Sequence, residues 1–190
     1  ENQISWTRAL KKDAQNSVKH AFDPTTFIKG TYRPFCRQHL YYHRPFIEAP
    51  GIWNRLFPTP QHENVCICLT LGDSFSVIVT DSIPDYHLIG DTKVFPLYWY
   101  EEEKPETVPA SLFGEPTEQQ WVRRNGITDW MLREVRSRFG GTRSLTREDI
   151  FYYIYGVLHS EEYRTRFADD LRKALPRIPI VKRLEDFMAF

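Results

Sequence analysis

The run Asn64–Thr80, "NVCICLTLGDSFSVIVT", limits the possible folds more than any other part of the chain. Val65, Ile67, Leu69 and Leu71 alternate with Cys66, Cys68 and Thr70, so a strand points the first set one way and the second set the other. Gly72-Asp73 supplies a turn, and Ser74–Thr80, "SFSVIVT", is a second β-branched run that reads as the hairpin partner of the first. Phe95–Tyr100, "FPLYWY", is expected as a further strand. Pro96 lacks a donor and places that strand at a sheet edge.

The flanks read differently. A helix is expected over Ile4–Gln15, capped near Ser5, with Trp6, Leu10 and Ala14 on one face. Gly51–Pro60 has the composition of a loop. Glu101–Glu118 combines consecutive acids with prolines and reads as a long acidic loop. Beyond it, helix signals dominate. Thr128 caps Asp129–Phe139, which Gly140-Gly141 ends. Thr146 and Asp149 form a capping box before a stripe of Ile150, Ile154, Val157 and Leu158. Ser160 opens a last helix, with Glu161 and Glu162 near its positive end and Tyr163, Phe167 and Leu171 on its apolar face. Pro176 and Pro179 bound its exit.

These elements predict an α+β fold: an N-terminal helix, a small, mostly antiparallel sheet, a long acidic loop and a helical C-terminal subdomain. The corresponding segments are 1–100, 101–121 and 122–190, together one domain. A chain of 190 residues buries roughly 70% of its unfolded surface, enough for a proper core. The first residue is not Met, and the chain reads as a fragment of something longer. No apolar run reaches the ~18 residues of a membrane span, and the first residues lack a signal-peptide core. Cys36, Cys66 and Cys68 are too few for a disulfide framework, so a reducing, cytoplasmic setting is expected.

Formal charge sums to zero but is unevenly spread. Lys and Arg outnumber Asp and Glu by eight to three over 1–46 and by fourteen to ten over 122–190, while acids lead by twelve to three over 47–121. A neutral total argues against free-standing, non-specific nucleic-acid binding; local basic faces at both ends remain. The stretch Gly30–Phe46, "GTYRPFCRQHLYYHRPF", holds Arg-Pro-Phe twice and no acid. Arg33, Arg37, Arg44, His39, His43 and Tyr41 are candidate DNA contacts here. Arginine grips phosphates or a guanine edge, and aromatic faces stack on bases. Phe35, Tyr42 and Phe46 are expected as core anchors beneath those cations. Arg164 and Arg166, with Arg172, Lys173 and Arg177, offer a second basic face that could equally be a solvated helix surface.

A docking scaffold that touches protein alone is one alternative to DNA contact, and two chemical alternatives stand beside it. Pro84-Asp85 followed by Glu102-x-Lys104 fits a loose nuclease pattern, in which two carboxylates on adjacent strand ends hold Mg²⁺ and a Lys steadies the attacking water. Asp91-x-Lys93 is a more cramped match. His39-x3-His43 with Cys66-x-Cys68 could bind zinc if His39 and His43 shared a helix face, although alternation with Val and Ile favours packed cysteines. The chain has no Gly-Lys-Ser/Thr phosphate loop, no Gly-x-Gly-x-x-Gly and no Asn-Pro-Pro-Tyr/Phe.

Three blocks, "GTYRPFCRQHLYYHRPF" (30–46), "VTDSIPDYHLIGDTKVFPLYWY" (79–100) and "TREDIFYYIYGVLHSEEYRTRFADDLRKALPRIPIV" (146–181), together with "ITDW" (127–130), resemble the C-terminal specificity domain of type ISP restriction-modification enzymes. The resemblance covers nearly the whole chain. It implies a target recognition domain that does no chemistry itself, reads double-stranded DNA and contacts an adjacent methyltransferase domain. It further implies upstream domains that use S-adenosylmethionine for adenine methylation, and ATP and Mg for cleavage. This chain would then carry no catalytic, cofactor or metal residue and would be a monomer. On that reading Arg33 and Arg37 are candidate phosphate clamps at the seam with the methyltransferase.

Overall fold

The computed structural model describes residues 6–48, 51–103, 120–141 and 144–190. In chain order its elements are helix α1 (Arg8–Gln15), strands β1 (Phe27–Arg33) and β2 (Cys36–Tyr41), helix α2 (Trp53–Leu56), strands β3 (Cys66–Thr70), β4 (Ser76–Thr80), β5 (Ile83–Pro84), β6 (Lys93–Pro96), β7 (Tyr98–Glu102) and β8 (Trp121–Asn125), and helices α3 (Asp129–Arg138), α4 (Arg147–His159), α5 (Glu161–Arg166), α6 (Ala168–Leu171) and α7 (Leu184–Met188). The α+β class stands. Among the described residues the single sheet expected from the sequence is three small ones, ordered β2-β1-β5, β4-β3-β6 and β7-β8. Pairing is antiparallel except between β1 and β5.

All five residues of β3 are buried. Cys66 faces Thr80 and Thr70 faces Ser76 across the hairpin, the register the turn at 72–73 predicts. Alternation along β3 separates two cores. Ile67 and Leu69 join Val77, Leu132, Val135, Ile150, Val157 and Phe187 in a core shared with the helices. Cys66 and Cys68 pack on the other side with Ile28, Leu56, Phe57, Ile83 and Leu88. Each buried Ile or Leu contributes roughly 1.5–3 kcal/mol, so a strand covered on both faces is the best-anchored part of the fold.

Local signals placed the helices. The Thr128 hydroxyl accepts from the Met131 N–H, and α3 ends where Gly140 and Gly141 take φ of 72° and 76°. The capping box of Thr146 and Asp149 opens α4. The Ser160 hydroxyl accepts from the Tyr163 N–H, but the last long helix breaks at Phe167 into α5 and α6. α1 begins later than expected: Thr7 is its cap, accepting from the Leu10 N–H at 3.1 Å. Ile4 and Ser5 lie outside the described residues, and α1 buries none of its own residues.

Long-range pairing overturned three expectations. "FPLYWY" is not one strand: its first part pairs with β3 at the sheet edge, and from Tyr98 it pairs with β8. The helical end expected from residue 122 begins with β8, a strand in its own right. Within 51–60, read as a loop, α2 seats the buried Leu56 and Phe57. Of the expected acidic loop, residues 104–119 lie outside the described residues, while Glu101 and Glu102 complete β7. Among the described residues no helix is long and apolar enough to cross a membrane.

Asn64 locks these junctions together. Its amide donates to the carbonyls of Leu56 at 2.9 Å and Tyr98 at 2.7 Å, and its oxygen accepts from the N–H groups of Val65 at 2.9 Å and Tyr98 at 3.0 Å. Gly126 closes the same corner. Its N–H donates to the Leu97 carbonyl at 2.7 Å, and a Cβ there would stand 2.1 Å from the Pro96 carbonyl oxygen. Asn64→Ala is expected to lower stability by about 2–4 kcal/mol, because it orphans several buried backbone groups at once. Urea denaturation checks this against Arg133→Ala on the exposed side of α3, expected to stay within about 0.5 kcal/mol of the parent chain.

Candidate nucleic-acid interface

The stretch 30–46 builds a two-stranded ribbon. Phe27 faces Tyr41, Ile28 faces Leu40, Lys29 faces His39 and Thr31 faces Arg37. Directly opposed residues share a face. One face therefore turns Ile28 inward to the second core, and the other carries an aromatic pair followed by the Lys29–His39 pair and then Arg37. Among the described residues β2 is the outer strand of its sheet, so no described strand covers that edge of the ribbon.

Two clefts flank the ribbon. One, of about 500 Å³, is lined in part by Lys29, Arg37, His39, Phe57, His62 and Asp81. Burial pulls the His62 imidazole below its ordinary pKa and favours the neutral form, so the fixed positive charge of this cleft comes from Lys29 and Arg37. The other, of about 310 Å³, is lined in part by Tyr32, Gln38, Tyr42, Trp53, Asp85 and Tyr86.

The expected contact residues fall into three groups. Arg33 and Arg37 point to the hairpin's neighbour. Arg33 donates to Asp85 at 3.0 Å and to the Tyr32 carbonyl at 2.7 Å, and its guanidinium lies 4.0 Å from the Tyr32 ring centre. Arg37 donates to Asp81 at 2.7 Å. Both arginines thus tie the ribbon to the loops around β5 while staying partly exposed. The second group is the rest of the stretch, where His39 and Arg44 are exposed. Tyr41 and His43 belong to a ring cluster with His20, Phe22, Phe27 and Phe46. In that cluster the Tyr41 hydroxyl accepts from the Asp23 N–H at 3.1 Å, and His43 Nδ1 is buried without a hydrogen-bond partner.

Arg164 and Arg166 form the third group and are not brought to the ribbon. They sit on α5, whose Tyr163 belongs to the helical core, so β3 stands between them and β1. Arg164 donates to the Leu158 carbonyl at 2.6 Å and lies over the Phe75 ring, which makes it a strut at the end of α4. Arg166 is exposed beside Phe167.

The expected core anchors need correction. Phe35 is 96% exposed and has φ of 63°. Phe46 is exposed too, and only Tyr42 is partly covered. The sequence did carry a signal for Phe35: it is the third residue of an Arg-Pro-Phe-Cys turn between two strands. A type II turn with proline second demands positive φ at the third residue and ordinarily takes Gly or Asn.

Among the described residues neither chemical alternative assembles. Asp85 follows β5 and is engaged by Arg33 and by the His87 N–H at 2.8 Å. Glu102 ends β7 in a different sheet, so the two carboxylates are not on adjacent strand ends. Lys104 lies outside the described residues. Asp91 faces His87 at 3.9 Å and meets Lys93 only through its backbone carbonyl. His39 is on a strand opposite Lys29, so His39 and His43 share no helix face. Cys66 and Cys68 are buried, which pushes both thiols up, Cys68 to about 12, and disfavours metal-binding thiolate. Among the described residues, no group of three or more His, Cys, Asp or Glu could hold a metal ion.

With this geometry in place, the comparisons decide the family. A family model described as the type ISP C-terminal specificity domain matches residues 1–190. The chain belongs to that family. No curated protein matches it. Among solved structures, the specificity domain is similar to part of the DrdV–DNA complex at 32% identity and TM-score 0.79, covering 100% of this chain and 17% of that one. It is also similar to part of the ATP-dependent type ISP restriction-modification enzyme LlaBIII bound to DNA, at 28% identity and TM-score 0.75, covering 98% of this chain and 12% of that one. A third similarity is to a nuclease-deletion mutant of the type ISP enzyme LlaGI in complex with a DNA substrate mimic, at 28% identity and TM-score 0.70, again covering 98% and 12%. The specificity domain therefore spans less than a fifth of the length of each of these chains.

Thiol titration tests the burial argument. In the native domain one thiol, exposed Cys36, is expected to react promptly with an aromatic disulfide reagent at pH 8; in denaturant all three react. Prompt reaction of more than one native thiol would contradict the assignment of Cys66 and Cys68 to the core.

Proposed function

We propose that this specificity domain reads a DNA sequence on behalf of catalytic domains in a larger restriction-modification enzyme. The observation that carries the reading is the match of the whole chain to part of each of three proteins solved with DNA or a DNA mimic. The β1–β2 ribbon supplies a physical means. A major groove admits a two-stranded ribbon, and this one has an edge no described strand covers, exposed cations and no acid of its own. Lys29, Arg37 and Arg44 would set position on phosphates. Base edges would be read by side chains beside them, each good bidentate pairing giving about 1–3 kcal/mol of discrimination.

In this reading the domain performs no chemistry. S-adenosylmethionine, ATP and Mg serve upstream domains that methylate adenine and cleave unmodified DNA. The specificity domain touches the methyltransferase domain and double-stranded DNA, and its fold fixes the relation between the two. The buried hydroxyl cluster of Thr31, Thr80 and Ser82 and the pairing of β1 with β5 hold the ribbon, so a duplex would meet a preformed surface.

Two measurements test the proposal. Exchange of this domain between two relatives of different specificity is expected to transfer the methylated sequence with it; a chimera that keeps its old target overturns the reading. Salt titration of duplex binding is expected to give log affinity falling linearly with log salt, and Lys29→Ala to reduce that slope by about one.

A further inference from the structure

Phe35 is the most exposed large apolar side chain among the described residues and one of two non-glycine residues with positive φ. A bulky residue in that conformation costs stability, and strain of this kind persists where the surroundings hold it and a function uses it. The surroundings here are rigid. Pro34 fixes one side of the turn. Behind it, Thr31 Oγ1 lies 2.7 Å from Thr80 Oγ1 and 2.6 Å from Ser82 Oγ in a buried hydroxyl cluster. The Thr31 carbonyl accepts from the Asp85 N–H at 2.9 Å.

We propose that Phe35 is a wedge: carried at the ribbon tip, its ring stacks on bases of the bound duplex. This rests on the DNA-reading function proposed above and names the residue that enters the stack. Apolar side chains inserted between base steps, and aromatic rings on displaced bases, are general devices of DNA-binding proteins. The neighbours of the ring favour DNA over a protein partner. A protein-docking surface has a continuous apolar centre with few charges. Phe35 instead stands between Arg33 and Arg37, with the Arg33 guanidinium against Tyr32 and Lys29 further along the ribbon. Asp85 and Asp81 pair with those two arginines, and neither carboxylate lies on the ribbon itself. The adjacent basic groups would meet phosphates on either side of the entered step.

The test uses the 190-residue chain and the duplexes it enriches from a randomised pool. Phe35→Ala is expected to weaken binding to the enriched duplex by about 5- to 150-fold while leaving the salt slope unchanged, since a ring carries no charge. Phe35→Trp is expected to restore affinity. Phe35→Gly is expected to raise the denaturation midpoint, because glycine accepts positive φ, and yet to lose affinity as the alanine variant does. Affinity of Phe35→Ala within twofold of the parent chain overturns the wedge and leaves the DNA reading intact, with the tip then free for a protein surface. Enrichment of no duplex by the parent chain overturns both.

Discussion

The whole structure is hung on one strand covered from both sides. β3 gives alternate side chains to two cores, so neither the helices nor the β1–β2 ribbon can shift without exposing one face of it. Close packing makes that coupling stiff, because interiors tolerate little change in volume. The consequence for function is positional. On the proposed reading, a ribbon that presents side chains to a duplex would be braced through Ile28 and Ile83 against Cys66 and Cys68. Both thiols are fully buried in that core. Their conspicuous spacing thus follows from packing and not from metal chemistry.

The ribbon is held by unequal contributions. Exposed ion pairs such as Arg37–Asp81 are individually worth little, typically below about 1 kcal/mol. The buried hydroxyl cluster of Thr31, Thr80 and Ser82 and the parallel pairing of β1 with β5 are shielded from water and carry more of the alignment. In the proposed function the arginines would then act as aiming devices. Asp85 and Asp81 hold each guanidinium in place, and because both pairs remain partly exposed an approaching phosphate can compete for the same donors.

How much could be read from the sequence follows from the range of the interaction that decides each element. Helix caps at Thr128, Thr146 and Ser160 and the β3–β4 hairpin depend on neighbours within a few residues, and all were legible. β5, β8 and the division of "FPLYWY" depend on partners far along the chain. "WVRRN" has no alternation to announce a strand; it becomes one because Trp121–Asn125 meets Glu102–Tyr98 in antiparallel register. Phe35 was misplaced by the expectation that aromatics lie inside, a rule that runs one way only. Arg33 and Arg37 were recognised as candidates, but nothing in the sequence could supply their carboxylate partners some fifty residues away.

Two short stretches inside the blocks that resemble the family are put to different uses. Pro176–Pro179, "PRIP", faces inward through its backbone. The Tyr153 hydroxyl donates to the Pro179 carbonyl at 2.6 Å and accepts from the Val181 N–H at 3.2 Å, and the Tyr163 hydroxyl donates to the Arg177 carbonyl at 2.9 Å. Two tyrosines from α4 and α5 thereby strap an irregular segment that has no ladder of its own, and proline, which needs no donor, suits it. Tyr32–Phe35, "YRPF", does the opposite. Its backbone is committed to a turn, its arginine is braced by Asp85, and its phenylalanine is pushed into solvent against both conformational preference and the hydrophobic effect. A block that stabilises itself needs no partner to explain it. A block that holds a strained ring out in solvent is what the proposed stacking on DNA would use.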